Sequence, residues 1–355
     1  MRKHIFNAGP GVLPVDVLKQ ASEAVIDFDG IGQSILEMSH RSKKFDAVID
    51  EAKFIIKEFT KLGDDFEILF LQGGASMQFC MVPYNLLDEN ETAAYLDTGV
   101  WANKALKEAK LFGNVNVVAS SKDSSYSFIP KKYEVPGDSK YFHITSNNTI
   151  YGTEIFEFPK TGVSTVVDMS SDIFSREMDY QQFDLIYAGA QKNMGTSGCT
   201  LVIVNKNILG KVKRKIPSML DYNVFIKENS LYNTPSVYSI YVSMLTLRWL
   251  KNFGGPAAIE KVNFRKQEKL YAEIDRNALF KGTVEKEDRS WMNVNFVMEK
   301  PELEDEFLGA CKSASCEGLK GHRSVGGFRA SLYNALTEAS VDVLVGVMKE
   351  FERTH

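Results

Sequence analysis

The spacing of the apolar residues changes repeatedly along the first 250 positions of the chain. Between residues 45 and 59 they recur every three or four positions, which predicts an amphipathic helix. The segment 67–71 is a short apolar run, which predicts a buried strand. Similar runs predict six more strands, at 92–97, 114–118, 140–145, 164–168, 184–188 and 200–204. A helix at 101–112 fits between two of them. Strands that alternate with helices predict an α/β fold, with a mostly parallel seven-stranded sheet flanked by helices.

The segment Asn252-Phe253-Gly254-Gly255-Pro256 interrupts this alternation, because glycine and proline disfavour both helix and strand. After it the pattern predicts a long polar helix at 257–277, a strand and a final amphipathic helix. We therefore predict a large domain at 16–255 and a smaller α+β C-terminal domain at 256–355. The N-terminal segment 1–15 is expected to pack with the small domain.

Composition narrows the kinds of partner and site. The 355 residues carry a formal net charge of −4, which argues against nucleic acid as a main partner. The four cysteines and five histidines show no metal-ligand spacing, so we predict no metal site, and a disulfide framework is not expected in so long a chain. The basic N-terminus is followed by no apolar stretch, and no segment is apolar enough to span a membrane. We expect a cytoplasmic protein that acts on small molecules.

One lysine stands among small residues in Ala188-Gly189-Ala190-Gln191-Lys192-Asn193-Met194-Gly195, with no acidic neighbour. Burial there would lower the pKa of the amine and make it a nucleophile. Asp168 ends an earlier apolar run. A strand-end aspartate and a lysine after a later strand are two parts of a site for pyridoxal 5′-phosphate (PLP). Each has a simpler interpretation alone, since most lysines are solvated and most strand-end aspartates cap a turn.

A glycine pair follows the first predicted strand of the sheet. Gly73-Gly74-Ala75-Ser76 would open a helix whose backbone N–H groups bind an anion, although an ordinary turn has the same composition. The chain lacks G-x-x-x-x-G-K-[ST], and Gly30-Ile31-Gly32 lacks the third glycine of the dinucleotide fingerprint. An anion site without a nucleotide motif suits a cofactor with one phosphate. Trp101, just past the strand 92–97, could stack on a flat ring or simply pack on the sheet.

The stretch 318–329 concentrates basic side chains among glycines, namely Lys320, His322, Arg323 and Arg329. Arginine matches the geometry of carboxylate and phosphate groups with two parallel hydrogen bonds. His40-Arg41 repeats the His-Arg pair elsewhere in the chain. Two such pairs predict a site for a doubly charged anion, and a solvated basic loop is the alternative.

These stretches together resemble one protein family. The motifs that carry the resemblance are Phe6-Asn7-Ala8-Gly9-Pro10, Ser39-His40-Arg41-Ser42, Gln72-Gly73-Gly74-Ala75, Ala188-Gly189-Ala190-Gln191-Lys192-Asn193, Tyr232-Asn233-Thr234-Pro235 and the run from Gly321 to Asn334. With them the chain is similar, nearly end to end, to the phosphoserine aminotransferases, which are class V PLP-dependent aminotransferases of fold type I. The last two motifs are more specific to this family than the lysine motif.

The resemblance implies a role for each matching position at the cofactor. Lys192 would bind PLP covalently, and Asp168 would pair with the pyridine nitrogen. Trp101 would stack on the ring, and Thr149 would hydrogen-bond near its phenolic oxygen. The residues implied to hold the cofactor phosphate are Gly74, Ala75 and Gln191, together with Asn233 and Thr234 from the partner subunit of a homodimer.

The resemblance also implies the substrates, L-glutamate and 3-phosphohydroxypyruvate, and in some relatives a four-carbon phosphorylated keto acid of vitamin B6 synthesis. Arg329 would bind the substrate α-carboxylate. The residues implied to bind the distal phosphate or carboxylate are His40, Arg41, His322 and Arg323. Two positions depart from many relatives, since Ala8 stands where they have serine and Ser76 where some have arginine. The cofactor phosphate would then depend more on backbone amides and on the partner chain.

Two other interpretations remain open from the sequence. The first is another class V PLP enzyme, either an alanine–glyoxylate-type aminotransferase or a cysteine desulfurase-like enzyme. Cys316, just before the basic stretch, is the one feature that favours a sulfur-handling role, and a packed cysteine is the simpler interpretation. The second is an anion- or cofactor-binding protein without turnover.

Overall fold

The computed structural model describes residues 2–355, which form twelve strands and nine α-helices besides short 3-10 turns. The strands are β1 (His4–Ile5), β2 (Phe66–Leu71), β3 (Thr92–Asp97), β4 (Asn114–Ser120), β5 (Phe142–Thr145), β6 (Thr165–Asp168), β7 (Leu185–Gly189), β8 (Thr200–Asn205), β9 (Phe280–Gly282), β10 (Asn293–Met298), β11 (Cys316–Glu317) and β12 (Phe328–Ser331). The helices are α1 (Val15–Ile26), α2 (Lys43–Thr60), α3 (Gly74–Leu86), α4 (Val100–Ala109), α5 (Tyr222–Lys227), α6 (Val237–Phe253), α7 (Pro256–Arg276), α8 (Glu304–Ser313) and α9 (Glu338–Thr354).

The main sheet has seven strands in the order β2-β8-β7-β6-β5-β3-β4. Strand β8 runs antiparallel to β2 and β7, and the remaining neighbours are parallel. The predicted α/β class with a mostly parallel seven-stranded sheet is therefore confirmed. The predicted strand ends differ from the observed ones by at most two residues.

Helices cover both faces of the sheet, and successive side chains of a strand point to opposite faces. Both sets of side chains are therefore buried. Val167 and Ile186 pack into a cluster that also draws on α1, α2 and α6. Their neighbours Val166 and Leu185 face the other way, into a cluster that draws on α3, α4 and α5. The central strands are consequently apolar along nearly their whole length.

A third hydrophobic cluster combines α7, α8 and α9 with the antiparallel sheet β12-β10-β9. The N-terminus takes part in it, since β1 pairs with β11 and Phe6 is fully buried in the cluster. The division of the chain at residue 255 and the separate N-terminal segment 1–15 stay predictions. None of the helices within residues 2–355 is both long and apolar enough to cross a membrane.

The parallel strands place their carboxyl ends along one edge of the main sheet. Strands β2, β3, β5, β6 and β7 all end at this edge, because β8 alone reverses direction. Ligands bind at such edges in open α/β sheets, where the loops are free of sheet hydrogen bonds. The stretches predicted to carry chemistry at residues 73–76, 97–101 and 189–195 follow three of these strands.

Candidate active site

A cavity of about 560 Å³ opens at this edge of the sheet. Its walls come from the segments that follow β2, β3, β5 and β7, from the N-terminal segment, and from β12 and the loop before it. Seven of the predicted site residues line it, namely Gly74, Trp101, Thr149, Gln191, Lys192, His322 and Arg329. The other lining residues are Ala8, Gly9, Pro10, Ile150, Ser197 and Gly198.

Lys192 lies in the loop between β7 and β8 and is partly buried. Its Nζ donates a hydrogen bond to Thr149 Oγ1 at 2.7 Å. Burial lowers the pKa of Lys192 to about 8, against the opposing attraction of Asp168 and with a smaller lowering by Arg329. A lysine in this setting is neutral in a large fraction near pH 8, which is the state that attacks a carbonyl carbon.

Asp168 is the last residue of β6 and is 4% exposed. One carboxylate oxygen accepts a hydrogen bond from Ser170 N at 2.9 Å. Burial raises the pKa of Asp168, while hydrogen bonding from Ser170, the positive charge of Lys192 and the neighbouring Tyr187 hydroxyl all lower it. The carboxylate therefore depends on its neighbours to remain ionised next to the lysine.

Helix α3 begins at Gly74 with exposed backbone donors. Its N-cap is Gly73 at φ +88°, and within residues 2–355 no side chain caps this helix end. Gly74 is also left-handed, at φ +67°, and a Cβ placed there would have no atom within 4 Å. Uncapped N–H groups at the positive end of a helix dipole form an anion site beside the cavity.

Two buried donors point to a polar ligand in the cavity. Trp101 Nε1 and Arg329 Nε have no hydrogen-bond partner among the described residues, although both are buried. Buried donors of this kind normally find an acceptor, so a ligand with oxygen atoms would satisfy them. The volume is within the roughly 300–1,000 Å³ of small-molecule sites. With the lysine, the aspartate and the open helix start, the residues present fit PLP.

The basic stretch forms the rim of the cavity on the side of β12. His322 Nδ1 is 2.7 Å from Ser324 Oγ, and its ring lines the cavity. Burial lowers the pKa of His322, and the positive charges of Arg329, Arg323 and Lys104 lower it further. Arg323 itself is exposed beside the cavity. The rim is therefore positively charged and suits an anionic group at the far end of a substrate.

Several predicted residues do not line this cavity. His40 and Arg41 lie in the segment just before α2, whose N-cap is Ser42. Asn233 and Thr234 lie in the loop before α6, where Thr234 O accepts a hydrogen bond from Gln72 Nε2 at 2.7 Å. Ala75, the second residue of α3, follows Gly74 without being a lining residue.

The N-terminal segment takes part in the site, although none of its residues is among those predicted to bind cofactor or substrate. Tyr333 Oη donates to Ala8 O at 2.6 Å, and Gly11 N donates to Gln191 O at 2.7 Å. A side chain at Gly11 would approach Lys192 O and the Tyr333 ring to 2.8 Å. This close packing explains why residue 11 is glycine. The motif Phe6-Asn7-Ala8-Gly9-Pro10 is the only sequence signal that this segment belongs to the site.

Cys316 is a packed thiol in β11. It is 3% exposed, belongs to the hydrophobic cluster of α7, α8 and α9, and lies outside the lining of the cavity. Burial raises the pKa of Cys316 to about 11, so its thiolate is scarce at neutral pH. The residue that favoured a sulfur-handling enzyme thus offers no reactive group to the site.

Comparison with known proteins gives one consistent result. A family model described as aminotransferase class-V matches residues 4–344. The chain is 60% identical to phosphoserine aminotransferase of Flavobacterium johnsoniae, over 99% of both chains. It is similar to the solved phosphoserine aminotransferase from Bacillus circulans subsp. alkalophilus, with 44% identity, a TM-score of 0.97 and 99% of both chains covered. The PLP-bound phosphoserine aminotransferase from Trichomonas vaginalis matches at 35% identity and a TM-score of 0.94, covering 98% of this chain and 100% of that one.

Proposed function

We propose that this chain, which belongs to the class V aminotransferase family, is a PLP-dependent phosphoserine aminotransferase. It transfers the amino group of L-glutamate to 3-phosphohydroxypyruvate and gives 2-oxoglutarate and O-phospho-L-serine. The observation that carries the proposal is a desolvated Lys192 in a cavity whose rim is basic, with the negative charge of the buried Asp168 near enough to act on the lysine pKa. When bound, PLP supplies the carbonyl carbon that takes up the amino group and the ring that accepts the electron pair of the broken Cα–H bond.

Two residues would act at the reacting atoms. With PLP bound, Lys192 Nζ would take the proton from the substrate Cα and pass it to the former carbonyl carbon of the cofactor. The Asp168 carboxylate would accept a hydrogen bond from the protonated ring nitrogen. Thr149 Oγ1 already orients the lysine amine, to which it is hydrogen-bonded at 2.7 Å.

The remaining residues bind and orient. Trp101 would cover one face of the ring, and the N–H groups of Gly74 and Ala75, with Gln191, would hold the cofactor phosphate. Arg329 takes the α-carboxylate of both substrates. One basic pocket must accept the γ-carboxylate of glutamate and the phosphate of the acceptor, and His322 and Arg323 can donate hydrogen bonds to either oxyanion.

A second subunit completes the site in this proposal. Asn233 and Thr234 reach the partner's cofactor phosphate, and His40 and Arg41 reach the partner's substrate pocket. Exposed apolar side chains support an interface there. Leu36 and Tyr232 lie on these two segments, and Met77 and Met219 line one cavity together with Asn233. The homodimer is cytoplasmic, since its four free thiols suit a reducing compartment.

A coupled assay tests the reaction directly. The purified protein with PLP should form 2-oxoglutarate from glutamate and 3-phosphohydroxypyruvate, and Lys192→Ala should abolish both turnover and the borohydride-reducible adduct with PLP. Faster reaction with pyruvate or glyoxylate would instead indicate an alanine–glyoxylate-type enzyme, and sulfide release from cysteine would indicate a desulfurase. A protein that binds PLP without any turnover would be a binding protein.

A further inference from the structure

A row of buried polar side chains lies on the sheet face beneath the active site. Tyr95, His143 and Tyr187 stand on β3, β5 and β7 and are at most 2% exposed. Tyr187 is the register partner of Asp168, and Tyr95 is the register partner of His143. Because partners in register point to the same face, the carboxylate of Asp168 and these rings share one side of the sheet.

The row is held by specific contacts. His143 Nε2 lies 2.8 Å from Tyr187 Oη, and the rings of Tyr95 and His143 stack at 4.8 Å with planes 18° apart. The Tyr187 hydroxyl in turn stands beside the Asp168 carboxylate, its neighbour across the strands, and lowers the pKa of that carboxyl. Three polar groups thus lead from the hydrophobic interior towards the aspartate.

The direction of these hydrogen bonds follows from the other ring nitrogen. His143 Nδ1 is buried and has no partner within residues 2–355. A buried N–H without an acceptor is rarer and costlier than a bare lone pair, so the proton of the neutral ring resides on Nε2. Nε2–H then donates to Tyr187 Oη, and this leaves the hydroxyl proton of Tyr187 free for the neighbouring Asp168.

Neither His143 nor Tyr187 changes its charge near neutral pH. Burial lowers the pKa of His143 to about 3, so the imidazole remains neutral. Burial and the neighbouring Asp168 raise the pKa of Tyr187 well above its usual range, so the phenol keeps its proton. The path therefore supplies a fixed donor to the carboxylate.

We propose that Tyr187 and His143 are positioning residues that hold Asp168 as a carboxylate aimed at the ring nitrogen of the cofactor. The inference rests on the proposed function. Burial alone favours protonated Asp168, and a protonated acid would no longer stabilise a positively charged pyridine nitrogen. The donor from Tyr187 offsets that cost, and His143 fixes the orientation of the donor.

A cofactor analogue separates this role from ordinary packing. In 1-deazapyridoxal 5′-phosphate a C–H replaces the ring nitrogen, so Asp168 has nothing to pair with. The dissociation constants of PLP and of the analogue are measured by absorbance with the apo form of the wild type and of Tyr187→Phe. We expect the preference for PLP over the analogue to fall at least about tenfold in Tyr187→Phe, the size of one hydrogen bond to a charged group.

Tyr141→Phe is the matched control. Tyr141 is fully buried immediately before β5 and lies on the same sheet face. The substitution removes one hydrogen bond of 2.8 Å, to Tyr95 Oη. The preference of this variant for PLP over the analogue should stay at the wild-type value. If the two variants lose the preference equally, or if Tyr187→Phe weakens both ligands alike, the positioning role is wrong while the proposed function stands. Failure of the wild type to bind PLP would instead overturn the proposed function.

His143 provides a second test that does not depend on how well Tyr187→Phe folds. In His143→Gln the side-chain amide can still donate to Tyr187 Oη, whereas His143→Leu removes the donor. We expect the glutamine variant to keep more of the preference for PLP than the leucine variant. Equal preferences in the two variants would overturn the part assigned to His143.

Discussion

At the scale of single residues, the site depends on two groups whose burial works against their charge. Lys192 is driven towards the neutral amine, and Asp168 is driven towards the neutral acid. Burial favours the reactive state of the lysine but disfavours the state that the aspartate needs. The lysine needs to lose its proton to react, while the aspartate needs to remain charged. The hydrogen bond from Ser170 N and the neighbouring Tyr187 hydroxyl oppose the rise that burial causes in the pKa of Asp168.

The pKa of Lys192 predicts how fast the apo protein captures PLP at different pH values. Only the unprotonated amine attacks, so below the pKa of about 8 the trapped adduct should form about tenfold more slowly for each pH unit. Above that pH the rate should level off. The measurement is the rate of borohydride-stable PLP incorporation, with Lys192→Ala as the blank. A rate that rises steadily to about pH 10 would show an ordinary solvated lysine.

Arg323 carries a prediction about substrate choice. Arg323→Ala should lower kcat/KM for 3-phosphohydroxypyruvate by roughly 10- to 100-fold, because one charged hydrogen bond to the phosphate is lost. The value for pyruvate, which has no phosphate, should change little. Lys320→Ala removes the same charge from the same loop and serves as the control. Equal losses for both acceptors would show that this loop does not bind the phosphate.

Seven of the thirteen cavity-lining residues could be named from the sequence. Lys192, Trp101 and Gly74 stand at a strand end or in a conspicuous motif, whereas Thr149 was implied by the family resemblance alone. The path from His143 through Tyr187 could not be named. Alternation along a strand tells which face a side chain takes, but the 2.8 Å contact between these two depends on the register of strands β5, β6 and β7.

At the scale of elements, the start of α3 decides how the cofactor phosphate can be held. Gly73 and Gly74 both have positive φ, which lets the chain turn from β2 into the helix with its N–H groups uncovered. A side chain at Gly73 would also meet Met77 Cβ at 2.6 Å. The turn therefore requires glycine for its conformation and for the space it leaves to Met77.

Replacing Gly73 should cost more than replacing a glycine with the same conformation elsewhere. Gly30 has φ +72°, and a Cβ placed there would have no atom within 4 Å, so Gly30→Ala should cost only about 1 kcal/mol of backbone strain. Gly73→Ala adds the contact with Met77, for a total of about 2–4 kcal/mol. Urea unfolding of the apo proteins measures both. A cost at Gly73 no larger than at Gly30 would show that Met77 moves aside freely.

The direction of β8 is a feature that the apolar pattern of the sequence did not predict. An apolar run identifies a buried strand but does not tell which way it runs. The linker between β7 and β8 spans residues 190–199, and a parallel crossover needs about a dozen residues or more. The length of the linker therefore indicates that β8 is antiparallel to β7. The reversal of the chain leaves Lys192 in the short loop between them at the sheet edge.

At the scale of the whole molecule, the cavity is built by parts far apart in the chain. The N-terminal segment, the sheet edge and the loop before β12 meet there, and contacts such as Tyr333 Oη to Ala8 O connect them. Yet His40, Arg41, Asn233 and Thr234 do not line it. The proposed homodimer assigns these four residues to the site of the other subunit.

Mixing two inactive variants tests this shared site. Arg41→Ala should lose most activity, because the phosphate loses a charged contact, and Lys192→Ala should lose all of it. In a mixed dimer, the site with an intact Lys192 would receive an intact Arg41 from the other subunit. After unfolding and refolding an equal mixture, about one quarter of all sites should be complete, with activity to match. Each variant refolded alone controls for the procedure. If Arg41 served its own chain's site, every site in the mixture would lack one residue and activity would not return.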